Sequence, residues 1–249
     1  MNANFVLRAH ARGFNRFLST GESSSYIGGH PDATLTRHSS FNFGPYQSGL
    51  RGFGRLRVFG DETFSGTGCG YNIHPHHNFI ICAFVLKGQL THVNTVGNID
   101  QLTEGDYYAF SAGSGGKHCE LNLRHEDANI LYVWMLPDQL LLPPSYGRAH
   151  FDAIAGRNRL VPLVGNADGA IRVSQDVRIS RLSADRALGL DYQPGAAEHG
   201  VYVFVVGGEA RVNEETLQAR DSAGIWGAAP VRIQTDAQGS DLLIIETAP

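Results

Sequence analysis

A repeated strand pattern limits the folds that this chain can adopt. The segment "FVLKGQLTHVN" at 84–94 aligns with "FVVGGEARVN" at 204–213, with apolar positions matched and Gly88 opposite Gly208. Chance similarity between two β-strands is the alternative explanation. A second matching pair follows, "LTEGDYYAF" and "LQARDSAGIW", with a shorter hairpin tip in the second copy. The repeat therefore predicts two β-rich halves of one architecture.

The rest of the chain is also predicted to be β. Helical spacing of apolar residues is rare, whereas short apolar or alternating runs recur between glycine turns, such as "VGGE" at 206–209. Because 249 residues exceed a usual single domain, we expect two jelly-roll barrels in tandem. The predicted halves are residues 1–145 and residues 146–249. The second half begins with a proline-rich linker in which "FDAIAG" could form the one short helix.

Charge and hydropathy exclude two classes of partner. The net charge is −4, and the 20 Lys and Arg residues are scattered along the chain. Nucleic acid and anionic membrane surfaces are therefore not expected as partners. The longest apolar run, at 79–86, is far shorter than the roughly 20 residues of a membrane span.

The expected compartment is the cytoplasm. The first residues, "MNANFVLRAHARGF", contain no apolar run of the kind found in a signal peptide. The three cysteines, Cys69, Cys82 and Cys119, cannot all pair and show no CxxC spacing. We therefore expect reduced thiols.

A histidine cluster, "NIHPHHN" at 72–78, is the first candidate for chemistry. Residues i and i+2 of a strand share a face, so His74 and His76 can direct both imidazoles to one point. Pro75 points away and costs one ladder hydrogen bond, which a strand end or edge tolerates. Taken alone, such a pair is more often structural than metal-binding.

A second pair with the same spacing lies further along the chain. His118 and Glu120 flank Cys119 in "GSGGKHCELN". Two antiparallel strands could bring both pairs together as a site of three histidines and one carboxylate. Such nitrogen and oxygen ligands suit iron, manganese, nickel, copper or zinc. We therefore predict a metal site in the N-terminal half.

The other histidines are not predicted to be ligands. His77 has the wrong parity and is expected in an outer shell or at the surface, and His92 is expected to be solvated or hydrogen-bonded. His199 is expected in a surface loop of the second half. The repeat places four residues without metal-binding character opposite the predicted ligands: Pro194, Ala196, Ile233 and Thr235. We therefore predict a metal site in the first barrel only.

These motifs resemble those of the pirin family of bicupins, especially its bacterial branch with quercetinase activity. The resemblance covers nearly the whole chain. Four stretches carry it: "FGRLRVFGDETFSGTGCGYNIHPHHNF", "FVLKGQLTHVNTVGN", "LTEGDYYAFSAGSGGKHCELN" and "LYVWMLPDQLLLPPSY". The resemblance implies that His74, His76, His118 and Glu120 are the metal ligands.

Two positions depart from the pattern of the family. Members usually have Arg directly after HPH and Glu four residues after its second histidine, whereas this chain has His77 and Ile80. Glu120 is then the only acidic candidate in the two motifs. The change at position 77 could alter how a substrate is oriented.

The resemblance implies a dioxygenase with one divalent metal ion per chain, and iron is the expected metal. Its partners would be dioxygen and a small aromatic substrate, a flavonol such as quercetin, whose heterocyclic ring opens with release of carbon monoxide. Glu120 would accept the proton of the flavonol hydroxyl. Strand parity adds Ile80, Cys82 and Phe84 to His77 as a predicted substrate pocket, although Phe84 fits barrel core better.

Two alternatives remain from the sequence. Relatives in this family bind transcription or metabolic proteins, so the chain could be a non-enzymatic regulator that senses redox state through iron and binds a partner protein. It could also be a metal-dependent enzyme that acts on another small molecule.

Overall fold

The computed structural model describes residues 4–249, and these are almost entirely β. Within that range the only helix is a single 3-10 turn, Ala9–Ala11, and none is long and apolar enough to cross a bilayer. The predicted all-β fold class is confirmed. The short helix expected in "FDAIAG" does not form: the segment makes a single turn, in which the Gly156 N–H bonds to the Asp152 carbonyl.

The described residues form two compact units. The N-terminal barrel consists of residues 13–51 and 57–150, and the C-terminal barrel consists of residues 4–12, 52–56 and 151–249. Two early segments of the chain thus belong with its second half. The division of the sequence into halves 1–145 and 146–249 remains a prediction.

The N-terminal barrel has two sheets, with strands numbered along the chain. The larger has the order β13 (Ser145–His150), β10 (Asp106–Ser111), β7 (Ile80–Lys87), β12 (Ala128–Met135), β5 (Leu56–Ser65), β4 (Thr34–Ser39) and β2 (Gly13–Leu18). The smaller has the order β3 (Ile27–Gly28), β6 (Cys69–His76), β11 (Gly116–Asn122), β8 (Gln89–Asn94) and β9 (Ile99–Thr103). Leu35 and Phe110 from the first sheet share one core with Tyr71 and Leu90 from the second. The two sheets therefore enclose an interior between their facing sides.

The C-terminal barrel is built from one sheet of eight strands. Its main path is β1 (Phe5–Leu7), β19 (Ser222–Trp226), β17 (Gly200–Val212), β20 (Val231–Thr247), β15 (Val177–Ala184) and β14 (Leu160–Val164). In addition, β16 (Gly189–Tyr192) pairs with β20 and β18 (Glu215–Gln218) with β17. Val203, Val212, Ile233 and Ile244 are part of its apolar core.

A glycine bend replaces the turn that was predicted at "VGGE". Strand β17 runs through this segment, with register shifts against β20 on both sides of Gly208. Gly208 has a φ of 76°, and its counterpart Gly88 has a φ of 78° between β7 and β8. The prediction was wrong because a glycine with positive φ can bend a strand pair as well as end it.

A shared turn supports the duplication independently. Asp106 accepts the backbone N–H of Thr103 at 2.7 Å, and Asp221 accepts that of Gln218 at 3.1 Å. These are the positions that the repeat aligns, so both copies close the same turn with the same side chain. Similarity by chance does not explain a matched hydrogen bond.

The glycine bend in β17 yields a stability prediction. A Cβ added at Gly208 would lie 2.3 Å from the carbonyl oxygen of Gly239, and the positive φ disfavours any L side chain. Gly208→Ala should therefore destabilise the protein by more than about 1 kcal/mol, lowering the thermal midpoint by several degrees in a calorimetric scan. Gly207→Ala is the control, since nothing lies within 4 Å of that position. Equal midpoints for the two variants would contradict the assigned bend.

Candidate metal centre

The pairing of β6 with β11 creates the site. His74 lies directly opposite His118 in the antiparallel register, and His76 lies opposite Gly116. A register shift between His118 and Glu120 sets the glutamate opposite Tyr71. The side chain of Pro75 points outward and is exposed. The four predicted ligands therefore lie within a short stretch of two neighbouring strands.

The three imidazoles meet in the barrel interior. Ring centroids are 4.6 Å apart for His74 and His118, 4.7 Å for His74 and His76, and 4.9 Å for His76 and His118. One nitrogen from each ring lies within 4.8 Å of the others. Among residues 4–249 this is the only such group of potential metal ligands. The described residues can thus hold one metal ion at this point.

Hydrogen bonds orient two of the rings. His74 Nδ1 is 2.8 Å from the carbonyl oxygen of Asn72, which can only accept, so the ring donates there and keeps a lone pair on Nε2. His118 Nδ1 is 3.2 Å from His92 Nε2. When His118 donates in that contact, its own Nε2 also keeps a free lone pair. Support of this kind behind a histidine is typical of metal sites.

The ring nitrogens of the cluster have the free lone pairs that a bound cation needs. The Nε2 atoms of His76 and His118 are buried without a hydrogen-bond partner. Burial, and after it the neighbouring imidazoles, lowers the pKa of both His76 and His118 to about 3. Both rings are therefore neutral at pH 7, which is the form that binds metals. The donor atoms suit a divalent transition metal.

Glu120 adds a carboxylate to the three rings. Its side chain is 3% exposed, and its Oε2 lies 3.7 Å from His118 Nε2. Its other oxygen, Oε1, accepts a hydrogen bond from the Tyr108 hydroxyl. One carboxylate oxygen is thereby held in place, and the other is directed to the imidazoles.

The predicted substrate pocket needs a correction. In β7, Ile81 and Ala83 pair with Phe110 and Tyr108 and share their inner face, so the side chains of three predicted lining residues point to the opposite face: Ile80, Cys82 and Phe84. The parity count was wrong because the chain turns at Asn78, with a φ of 60°, between β6 and β7. His77 lies in that turn and is exposed.

His77 belongs to an opening beside the site. A surface pocket of about 590 Å³ reaches His76 and is lined also by Pro75, His77, Thr95, Ser114, Gly115, Gly116, Lys117 and Leu141. The ring of Trp134 lies 4.8 Å from that of His76, and the ring of Tyr26, which is half exposed, lies 5.1 Å from that of His74. Aromatic walls therefore flank the imidazoles.

Of two further histidines, one matches its prediction and the other does not. His92 is hydrogen-bonded, which is one of its two predicted states: it is fully buried, stacks on Tyr108 at 4.3 Å and contacts His118. The alternation of Leu90, His92 and Asn94 on β8 could have placed it inside. His199 is buried rather than in a surface loop, with its Nδ1 2.7 Å from Glu246 Oε1.

Comparison with known families gives two matches. Residues 28–135 match the family model described as Pirin, and residues 164–247 match that described as Quercetinase C-terminal cupin domain. The chain is 31% identical over 205 residues to a quercetin 2,3-dioxygenase of Escherichia coli (strain K12), covering 82% of this chain and 87% of that protein. It is 30% identical over 226 residues to a pirin-like protein of Caulobacter vibrioides, covering 89% and 96%.

Solved structures agree with this result. The crystal structure of the bacterial pirin YhhW from Escherichia coli in complex with nickel(II) superposes with a TM-score of 0.85 at 25% identity, covering 99% of this chain and 100% of that one. The chain belongs to the pirin family, and its two-cupin architecture is that of the family.

The imidazole cluster predicts which variants lose metal. His118→Ala should lower the affinity for nickel(II), measured by calorimetry on chelator-treated protein, by at least about tenfold because one of three nitrogen donors is gone. His77→Ala, which removes an exposed imidazole next to the cluster, should leave the affinity unchanged. Equal loss in the two variants would contradict the assignment of ligands.

Burial of the histidines also predicts how stability depends on pH. Burial lowers the pKa of His92 to about 4, so the unfolded chain binds this proton more readily below its ordinary pKa of about 6.5. The contribution of His92 is complete above that pH and is lost as the pH falls toward 4, with a slope of up to about 1.4 kcal/mol per pH unit.

Urea denaturation of the metal-free protein between pH 7 and pH 5 measures this slope. The His92→Gln variant should reduce this slope by an amount that corresponds to the uptake of up to one proton. The His77→Gln variant should leave the slope unchanged. An unchanged slope in His92→Gln would show that folding does not lower the pKa of His92.

Proposed function

We propose that this member of the pirin family is a metal-dependent dioxygenase of the quercetinase type. The observation that supports it best is the convergence of three imidazoles within 4.8 Å of one another in the barrel interior, with Glu120 Oε2 3.7 Å from His118 Nε2. Relatives named quercetin 2,3-dioxygenase support a flavonol as the substrate class. The reduced state expected for three free cysteines supports a cytoplasmic setting.

Iron is the proposed metal, with manganese, nickel, copper and zinc as alternatives that the same donors accept. Held by His74, His76, His118 and Glu120, the ion would supply Lewis-acid and redox chemistry. The protein contributes the orientation of the rings through Asn72 and His92. Burial also keeps the rings of His76 and His118 neutral.

Glu120 is the proposed proton acceptor. The carboxylate is buried beside His118, and Tyr108 occupies only one of its oxygens. The oxygen that faces His118 has two lone pairs, so beside the ion it can also accept the proton of a flavonol hydroxyl that enters the site, and the substrate reacts as its anion. The Tyr108 hydrogen bond keeps the carboxylate from turning away during that transfer.

The aromatic side chains beside the imidazoles fit a flat substrate. Trp134 and Tyr26 lie edge-on to His76 and His74, and each offers apolar surface next to the ligands. A bound aromatic ring between them would be held in one plane and would displace water from the imidazoles. In the overall reaction, quercetin and dioxygen give a ring-opened ester and carbon monoxide. Both oxygen atoms of dioxygen enter the ester, and one carbon of quercetin leaves as carbon monoxide.

The test is turnover of quercetin by the iron-loaded protein. Loss of quercetin absorbance should be accompanied by an equal amount of carbon monoxide. Glu120→Gln should lower kcat/KM by about 100-fold or more, since an amide cannot accept the proton. Glu104→Gln changes an exposed glutamate and should react at the rate of the unmodified protein.

Three results would reject this function. The first is absence of turnover by fully loaded protein. The second is turnover that survives complete removal of metal by a chelator. The third is full activity of Glu120→Gln.

A further inference from the structure

A buried ion pair lies in the same barrel interior. Arg37 on β4 and Glu62 on β5 are directly opposite each other in the antiparallel register. Arg37 Nη1 is 3.3 Å from Glu62 Oε1, and the side chains are 5% and 1% exposed. Their neighbours on the same face, Leu35 and Phe64, belong to the core between the two sheets. The pair is thus enclosed by the N-terminal barrel.

The Arg37 guanidinium is fixed by aromatic contacts, but not all of its N–H donors have hydrogen-bond partners. It lies over the rings of Phe43 and Tyr46, at 5.0 and 4.7 Å from their centroids. Its Nε and Nη2 atoms are buried without a hydrogen-bond partner. A buried cation with unused donors is costly, so the unpaired atoms of Arg37 call for an explanation. These donors are therefore available to a ligand.

Two short routes connect Arg37 to the imidazoles. On one side the Tyr71 hydroxyl donates to Glu62 Oε2 at 2.8 Å, and the Tyr71 ring is 5.8 Å from that of His74. On the other side Phe43 contacts Trp134 at 5.3 Å, and Trp134 contacts His76. Aromatic side chains thus link the arginine to the metal ligands from two sides.

We infer that Arg37 is a specificity-determining residue that binds an anionic oxygen of the substrate. This inference rests on the proposed function and adds a substrate class to it. The substrate is an aromatic molecule with adjacent oxygens at the metal end and a carboxylate or ionised phenol at the other end. A guanidinium fork suits both anions, because its planar N–H groups match their oxygen geometry.

Glu62 does not prevent this role. Burial raises the pKa of Glu62 to about 7, against the opposing effect of Arg37. The carboxyl is therefore easily protonated when a second anion reaches the guanidinium, which leaves the charge of Arg37 to the substrate. Gly60 provides the room for the ion pair itself, since a Cβ there would lie 3.0 Å from Arg37 Nε and 2.7 Å from Glu62 Oε1.

The test compares matched neutral and anionic probes on nickel-loaded protein, where binding is measured by calorimetry without turnover. 3,4-Dihydroxybenzoate and 3,4-dihydroxycinnamate are each paired with their amides, and quercetin is paired with its 7-O-methyl ether. At least one anionic probe should bind about tenfold or more tightly than its neutral partner. The carboxylate and phenol arms distinguish the two sources of negative charge.

Two variants test whether Arg37 causes the preference for anionic probes. Arg37→Gln combined with Glu62→Gln removes both charges and should bring the affinity ratio close to one. Gly60→Ala retains every charge but displaces the guanidinium, and it should reduce the ratio even if the double variant fails to fold. Arg51→Gln changes an exposed arginine and should keep the ratio of the unmodified protein.

Equal affinities for all pairs in the unmodified protein would overturn the inference, as would a ratio that persists in both the double variant and Gly60→Ala. Its failure differs from failure of the proposed function. Quercetin turnover without a preference for anions rejects only the role of Arg37. A preference for anions without turnover rejects only the oxygenase.

Discussion

The antiparallel register between β6 and β11 is the constraint on which the metal centre depends. It sets His74 against His118, and the two-residue period of each strand adds His76 and Glu120 on the same side. A slip of β11 by one residue would turn His118 and Glu120 to the face opposite His74 and His76. The bulge lies in β6, between the residues opposite His118 and Glu120, and the Glu120 carboxylate accepts a hydrogen bond from the Tyr108 hydroxyl. Donor geometry is thus a consequence of strand pairing.

The two barrels separate scaffold from chemistry. Both copies keep the strand bend at a glycine and the turn closed by an aspartate. In the C-terminal barrel, however, Ile233 contributes to an apolar core, and the Thr235 hydroxyl bonds to a backbone carbonyl. The buried His199 is paired with Glu246. One architecture therefore supports a metal centre in one copy and packing in the other.

Short-range periodicity was enough to predict the fold class and the four candidate ligands, because an i and i+2 pair needs only an extended strand. It failed where the chain turns. Asn78 interrupts the parity between β6 and β7, so Ile80, Cys82 and Phe84 were assigned to the wrong face. The pairing of Arg37 with Glu62 depends on the register of two strands, and no local motif specifies it.

Anomalous X-ray diffraction from crystals of the chain, purified without a metal-affinity column, tests the central claim most directly. The structure predicts one anomalous peak per chain, about 2.0–2.3 Å from the Nε2 atoms of His74, His76 and His118 and from a Glu120 carboxylate oxygen. A peak at any other group of side chains, or one bonded to the histidines with Glu120 turned away, would contradict it.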